Sequence, residues 1–180
     1  MLERIIFTKE VWTAAIGGRD IPSRDERSIA ALQARLAVVQ PQFTALVRRI
    51  RDHLTSNLKG PSERGGLLLG SAHGHEVEIS DFVAWERCSN SRNQFILTNA
   101  ETTELKKRID ELNAQRRGSE VLGYFRSDFR EGVRLYDQDI ALIQDVFWDP
   151  RSVFLVVQPS EKPPSAGFFF WDGDKVFPYM

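Results

Sequence analysis

Apolar residues along this chain change their spacing several times, and each change marks an element. Phe43, Leu46, Val47, Ile50 and Leu54 recur at helical spacing, with Arg48, Arg49, Arg51 and Asp52 on the other face. Lys59-Gly60-Pro61-Ser62 then reads as a turn. Gly65-Gly66-Leu67-Leu68-Leu69-Gly70 is short, apolar and bounded by glycines, which predicts a buried strand. Ser71 to Gly74 reads as its tip, and His75-Glu76-Val77-Glu78-Ile79-Ser80 alternates as a returning strand. Asn93 to Leu97 is a further strand candidate. Asn99 is placed to cap a helix through Arg116, with Leu105, Ile109 and Leu112 on one face and Gly118 ending it.

Val121 to Phe125 predicts a strand running into a polar loop, Arg126 to Arg134. Asp137 is placed to cap a helix that buries Ile140, Ile143, Val146 and Phe147, closed by Pro150. Val153 to Val157 has the composition of a strand buried on both faces, and Gly167 to Tyr179 reads as a hairpin around Asp172-Gly173-Asp174. Helices alternating with strands predict an α/β class, or α+β with a mixed sheet flanked by helices. Residues 1–33 read as an N-terminal extension, broken at Gly17-Gly18. Within it Ser23-Arg24-Asp25-Glu26 has capping-box spacing ahead of Ile29 and Leu32. The domain proper is expected over 34–180, opening with a strand at Leu36 to Val39.

Composition narrows the function. In 180 residues, 24 Lys+Arg against 25 Asp+Glu give a net charge of −1, which argues against a broad nucleic-acid footprint. One cysteine, Cys88, excludes an intrachain disulfide framework and a Cys-rich zinc module. Charges interrupt the N-terminal segment where a signal peptide needs a continuous apolar stretch, and the densest apolar block, Phe168 to Trp171, is far short of a bilayer span. The expectation is a soluble cytoplasmic protein that engages neither membrane nor nucleic acid. The three histidines are His53, His73 and His75. No histidine follows position 75, so metal or acid–base chemistry by a C-terminal histidine is excluded.

Two blocks together resemble the JAMM/MPN (JAB/MPN) metalloprotease family. The first is Glu63-Arg64-Gly65-Gly66-Leu67-Leu68-Leu69-Gly70, similar to the family's Glu followed by a glycine-bounded leucine strand. The second runs from Gly123 to Ile140, in the frame of the family's Gly-Trp-Tyr-His-x-His-Pro followed by Ser-x-x-Asp. The likeness covers roughly residues 34–180. It implies an MPN/JAB-like, cytidine-deaminase-like layered architecture. It also implies a zinc ion held by two His and one Asp, with a bound water activated by the Glu and the oxyanion held by the Ser. The reaction implied is hydrolysis of a peptide or isopeptide bond, typically on a ubiquitin-like modifier.

In this chain Glu63 stands at the general-base position and Asp139 at the metal-binding Asp. Arg126 stands at the first His, Asp128 at the second, Tyr136 at the Ser and Phe129 at the Pro. A guanidinium offers donors only, so Arg126 cannot ligate zinc. The expectation is that Arg126 replaces the metal, its cation lying near Asp139, Asp128 or Glu63. The leading reading is a degenerate JAMM-like pseudoenzyme with no cofactor. It would act as a protein-binding or scaffolding module for a ubiquitin-like modifier, another MPN-like domain or a second copy. Ile5, Ile6, Phe7, Val11 and Trp12 are one apolar patch for such pairing. The alternative is a rebuilt metal-dependent (iso)peptidase, with Glu63, Asp128 and Asp139 holding zinc or a harder divalent cation and Arg126 stabilising the oxyanion. A third reading is a small-molecule or peptide binder that uses Arg126 and Tyr136 to hold an acidic group. His73-Gly74-His75 is read as a surface turn, Cys88 as an incidental thiol, and Phe147 and Trp148 as core.

Overall fold

The structure is a computed structural model. It describes residues 5–8, 45–46, 48–50, 52–53, 63–73, 76–85, 96–116, 118–129, 133–158, 165–172 and 175–178. Seven strands form one sheet in the order β1-β3-β2-β4-β5-β6-β7. They are β1 (Ile5–Thr8), β2 (Gly65–His73), β3 (Glu76–Trp85), β4 (Glu120–Ser127), β5 (Val153–Gln158), β6 (Ser165–Asp172) and β7 (Lys175–Pro178). Every neighbouring pair is antiparallel except β4 and β5. A parallel pair needs a crossover long enough to reverse the chain twice. Helix α2 (Asp137–Val146) lies in that crossover, and α1 (Asn99–Gln115) lies between β3 and β4. The described residues are therefore a mixed α/β arrangement.

Both faces of the sheet are covered. Side chains alternate along a strand, so β4 sends Phe125 to one side and Tyr124 to the other. Phe125 packs with Leu68, Leu155, Val157 and Phe168, and with Leu46 and Ile50 of the helical residues between 45 and 53. Tyr124 packs with Leu67, Phe154, Val156 and Phe169 beneath Leu105 and Leu112 of α1 and Ile143 of α2. This explains the unbroken apolar run of β5, whose Val153 to Val157 are all fully buried. It also resolves the aromatic run of β6. Phe168 and Phe169 point to opposite faces and both meet core. Gly66 allows the Phe125 ring to lie against the β2 backbone, since a Cβ there would overlap that ring.

Several boundaries differ from the sequence expectation. The apolar stretch after Asn93 does not continue as a strand at Ile96 and Leu97; these lead directly into α1. The cap of α1 is Thr98, not Asn99. Thr98 and Glu101 make a reciprocal capping box, with Thr98 N–H donating to Glu101 at 2.8 Å. β2 continues through Ser71 to His73, which were expected as a tip, because each pairs with β3. The cap of α2 is Tyr136 rather than Asp137, and the helix ends at Val146, ahead of Pro150. Phe147 is core, but Trp148 is 78% exposed. Ile5–Thr8, within the stretch read as an extension, forms the sheet edge on β3. No helix among the described residues is long and apolar enough to cross a membrane. The expected elements at residues 23–32 and 36–39, the turn at 59–62, and Val11, Trp12, His75, Cys88 and Asn93 to Phe95 lie outside the described residues.

Candidate functional site

The two sequence blocks meet where β2 begins and β4 ends. Gly65 pairs with Arg126, and one residue back the chains are tied by hydrogen bonds. Ser127 N–H donates to the Arg64 carbonyl at 2.7 Å, and Arg64 N–H donates to Ser127 Oγ at 2.8 Å. This register places Glu63 beside the end of β4, where it is 4% exposed. A solvated turn residue at that position is thereby excluded. β4 continues past the expected strand end. Arg126 and Ser127 are strand residues rather than loop, because the pairing with β2 and β5 runs on through them.

Arg126 is 1% exposed, Asp139 1% and Asp128 0%. An isolated charge buried to this degree is severely penalised unless it is paired and hydrogen-bonded. Arg126 Nε donates to Asp139 Oδ1 at 2.8 Å and Nη2 donates to Oδ2 at 2.9 Å, the two-pronged geometry that a guanidinium makes with a carboxylate. Nη1 donates to Asp128 Oδ2 at 3.0 Å and to the Ser127 carbonyl at 3.4 Å. Nη2 donates also to the Arg134 carbonyl at 2.8 Å. A guanidinium has five N–H groups, and each of these has an acceptor.

Asp139 is equally occupied. Its Oδ1 accepts from Tyr124 Oη at 2.9 Å as well as from Arg126. Its Oδ2 accepts from Tyr136 N–H at 2.8 Å, which closes the first turn of α2. A carboxylate has about four lone-pair sites, and four donors fill them here. Tyr136 lies with its ring 5.2 Å from the Arg126 guanidinium carbon and 5.0 Å from that of Arg134, whose Nε donates to its hydroxyl at 3.1 Å. The Tyr136 hydroxyl thus accepts from Arg134, and its ring lies against both guanidinium groups.

The electrostatics follow from this packing. Burial pulls the Arg126 guanidinium toward its neutral form, but the Asp139 carboxylate outweighs it and holds the charge more firmly than in water. Burial, reinforced by Asp139, keeps the Tyr124 phenol protonated well above its ordinary range. That proton is the one donated to Asp139.

The zinc implied by the family resemblance can be tested against this donor set. One of the two histidine positions carries a buried cation that accepts nothing, and the carboxylate at the retained Asp position has no free lone pair. The residues present do not fit the metal. Among the described residues no group of three His, Cys, Asp or Glu is placed to hold a metal ion. His73 is exposed at the far end of β2, roughly 26 Å along the strand from Gly65. His53 packs edge-on against Phe82 at 5.8 Å. Tyr124 escaped the sequence reading. Its alternation with Arg126 on β4 was the available signal, but a Tyr two residues before an Arg is too common to single out.

No family model matches the sequence, and no curated protein matches it. The structure is similar to the solution structure of protein DSY2949 from Desulfitobacterium hafniense. The TM-score is 0.51 at 21% identity, covering 74% of this chain and 85% of that chain. At that identity the likeness speaks for the fold alone, a mixed sheet with flanking helices.

Proposed function

We propose that this chain is a JAMM/MPN-like domain without hydrolytic activity, acting as a protein-binding module. The observation that carries the reading is the saturated ion cluster. Arg126 delivers one positive charge between Asp128 and Asp139, where the resemblance implies a metal cation, and uses all five of its N–H groups to do so. Hydrolysis of this kind needs a metal-bound water, and Arg126 supplies no coordination site for one. The same saturation counts against Arg126 as an oxyanion donor or as an anchor for an acidic ligand, since either role needs a free N–H. The layered mixed sheet, and the convergence of Glu63, Arg126, Asp128 and Asp139 at one end of it, support the MPN/JAB-like architecture. The partner class is protein: a ubiquitin-like modifier, another MPN-like domain or a second copy.

The test is elemental analysis of the purified chain, paired with peptidase and isopeptidase assays in added Zn²⁺ or Mn²⁺. The expected result is substoichiometric metal and no cleavage. Stoichiometric, tightly held zinc overturns the reading. So does metal-dependent cleavage that disappears in Glu63→Gln.

A further inference from the structure

A cavity of roughly 410 Å³ lies between α1 and the end of the sheet where β2 begins and β3 ends, outside the ion cluster. That volume is within the usual range of small-molecule pockets. Three features of its lining specify a ligand.

The first is an apolar floor. Leu67 of β2 lines the cavity with Val83 and Trp85 of β3, and all three pack into the core on the α1 side of the sheet. Register pairs Trp85 with Gly65, which has no side chain to lay beside the indole. The second is a donor without an acceptor. Trp85 Nε1 is the one buried side-chain polar atom among the described residues that makes no hydrogen bond. A buried N–H left unmade costs free energy, so a ligand acceptor that reaches it through a small turn of the ring is rewarded.

The third is a wall polarised in charge. Glu104, Lys107, Arg108 and Glu111 line the cavity and, at spacings of three, four and seven, share one face of α1. Lys107 and Arg108 both lean on the Glu111 carboxylate, at 3.9 and 3.4 Å, two cations against one anion. Glu104 stands a turn earlier. The wall is neutral as a whole, positive toward Lys107 and Arg108 and negative toward Glu104. A ligand of single charge meets one attracting and one repelling end, whereas a zwitterion meets two attracting ends.

We propose that this cavity binds a free α-amino acid with a bulky apolar side chain. The side chain lies over Leu67, Val83 and Trp85. The α-carboxylate faces Lys107 and Arg108, the α-ammonium faces Glu104, and a ligand oxygen accepts the Trp85 Nε1 proton. Floor, orphaned donor and polarised wall are each answered by one part of such a molecule. The inference does not depend on Arg126 standing in for a metal.

The test uses the full chain, ¹⁵N-labelled, titrated with L-phenylalanine and with L-leucine. At least one is expected to give saturable shifts centred on the amides of Leu67, Val83, Trp85 and residues 104–111. The Trp85 indole N–H is expected to move downfield as it gains an acceptor. On the natural chain, the better ligand is compared with its deaminated acid, its decarboxylated amine and glycine. Each is expected to bind at least about tenfold more weakly, since each lacks one charge or the apolar body. Trp85→Phe, which removes the N–H, is expected to weaken binding at least about threefold. The double variant Lys107→Ala with Arg108→Ala, both exposed, is expected to weaken it at least about tenfold with the rest of the amide spectrum unchanged. The proposal is overturned if neither amino acid saturates below about 10 mM, a threshold just beyond the weakest specific binding. It is also overturned if the shifts fall elsewhere, if the indole signal stays still, or if the acid, the amine or glycine binds as tightly as the amino acid.

Discussion

Strand β4 builds two different interiors from adjacent residues. Phe125 faces an apolar cluster of Leu68, Leu155, Val157 and Phe168. Arg126, next in the chain and equally buried, faces a closed polar network of two carboxylates, a phenol and two backbone carbonyls. The apolar side is held by area and shape, and each residue there contributes by excluding water. The polar side is held by complementarity, and each member is tolerable only because the others are present. Buried ion clusters are often no more stable than apolar residues of the same volume.

The sharpest way to break this comparison is Arg126→Ala, which leaves Asp128 and Asp139 buried without their cation. Chemical denaturation should show a loss of about 3–5 kcal/mol. Phe125→Ala on the other face should cost a similar amount, about 3–5 kcal/mol, through a cavity. The two losses should part company when compensation is attempted. Replacing the ions together, Arg126→Met with Asp128→Leu and Asp139→Leu, should return stability to within about 2 kcal/mol of the natural chain. A triple variant as unstable as Arg126→Ala would mean the network does more than neutralise itself.

Tyr124→Phe is a gentler probe. It removes one donor to Asp139 and should cost about 1–2 kcal/mol at neutral pH. It should also change the alkaline limb. The Tyr124 phenol is held protonated in the fold well above its ordinary range, by burial first and Asp139 second. Its stabilisation is therefore complete below about pH 10, where the unfolded phenol is still neutral, and falls away as pH rises above that. Denaturation midpoints followed from pH 8 to 11 should fall less steeply for Tyr124→Phe than for the natural chain. Thr98→Ala, which removes the cap of α1 away from both interiors, should cost about 1 kcal/mol. Trp148→Ala should leave stability within about 0.5 kcal/mol, since the ring is largely in solvent.

How much was legible beforehand differs by element. The long apolar runs at Leu67 to Leu69 and Val153 to Val157, and the helical spacing of Leu105, Ile109 and Leu112, declare their elements because burial imposes a period on the sequence. Element ends were less legible. Thr98, rather than Asn99, caps α1 because its hydroxyl and Glu101 complete a reciprocal pair, and either residue type suits a cap. β4 outran its apolar run because hydrogen bonding to β2 and β5 continues through Arg126 and Ser127 whatever their polarity. Trp148 was assigned to the core from its aromatic character, yet Phe147 fills that place and also gives its carbonyl to the Trp171 indole N–H at 2.7 Å.

The sequence by itself determined the alternation of helices and strands, the positions of Glu63, Arg126, Asp128 and Asp139 in one motif frame, and the chemical fact that a guanidinium cannot ligate a metal. Those follow from local periodicity and from side-chain type, which need no coordinates. Only the tertiary structure decided that Arg126 is buried, that each of its N–H groups has an acceptor, and that Asp139 has no lone pair to spare. Saturation is a count of neighbours drawn from β4, the segment before α2, and α2 itself. It exists only once the fold has brought those segments within hydrogen-bond distance.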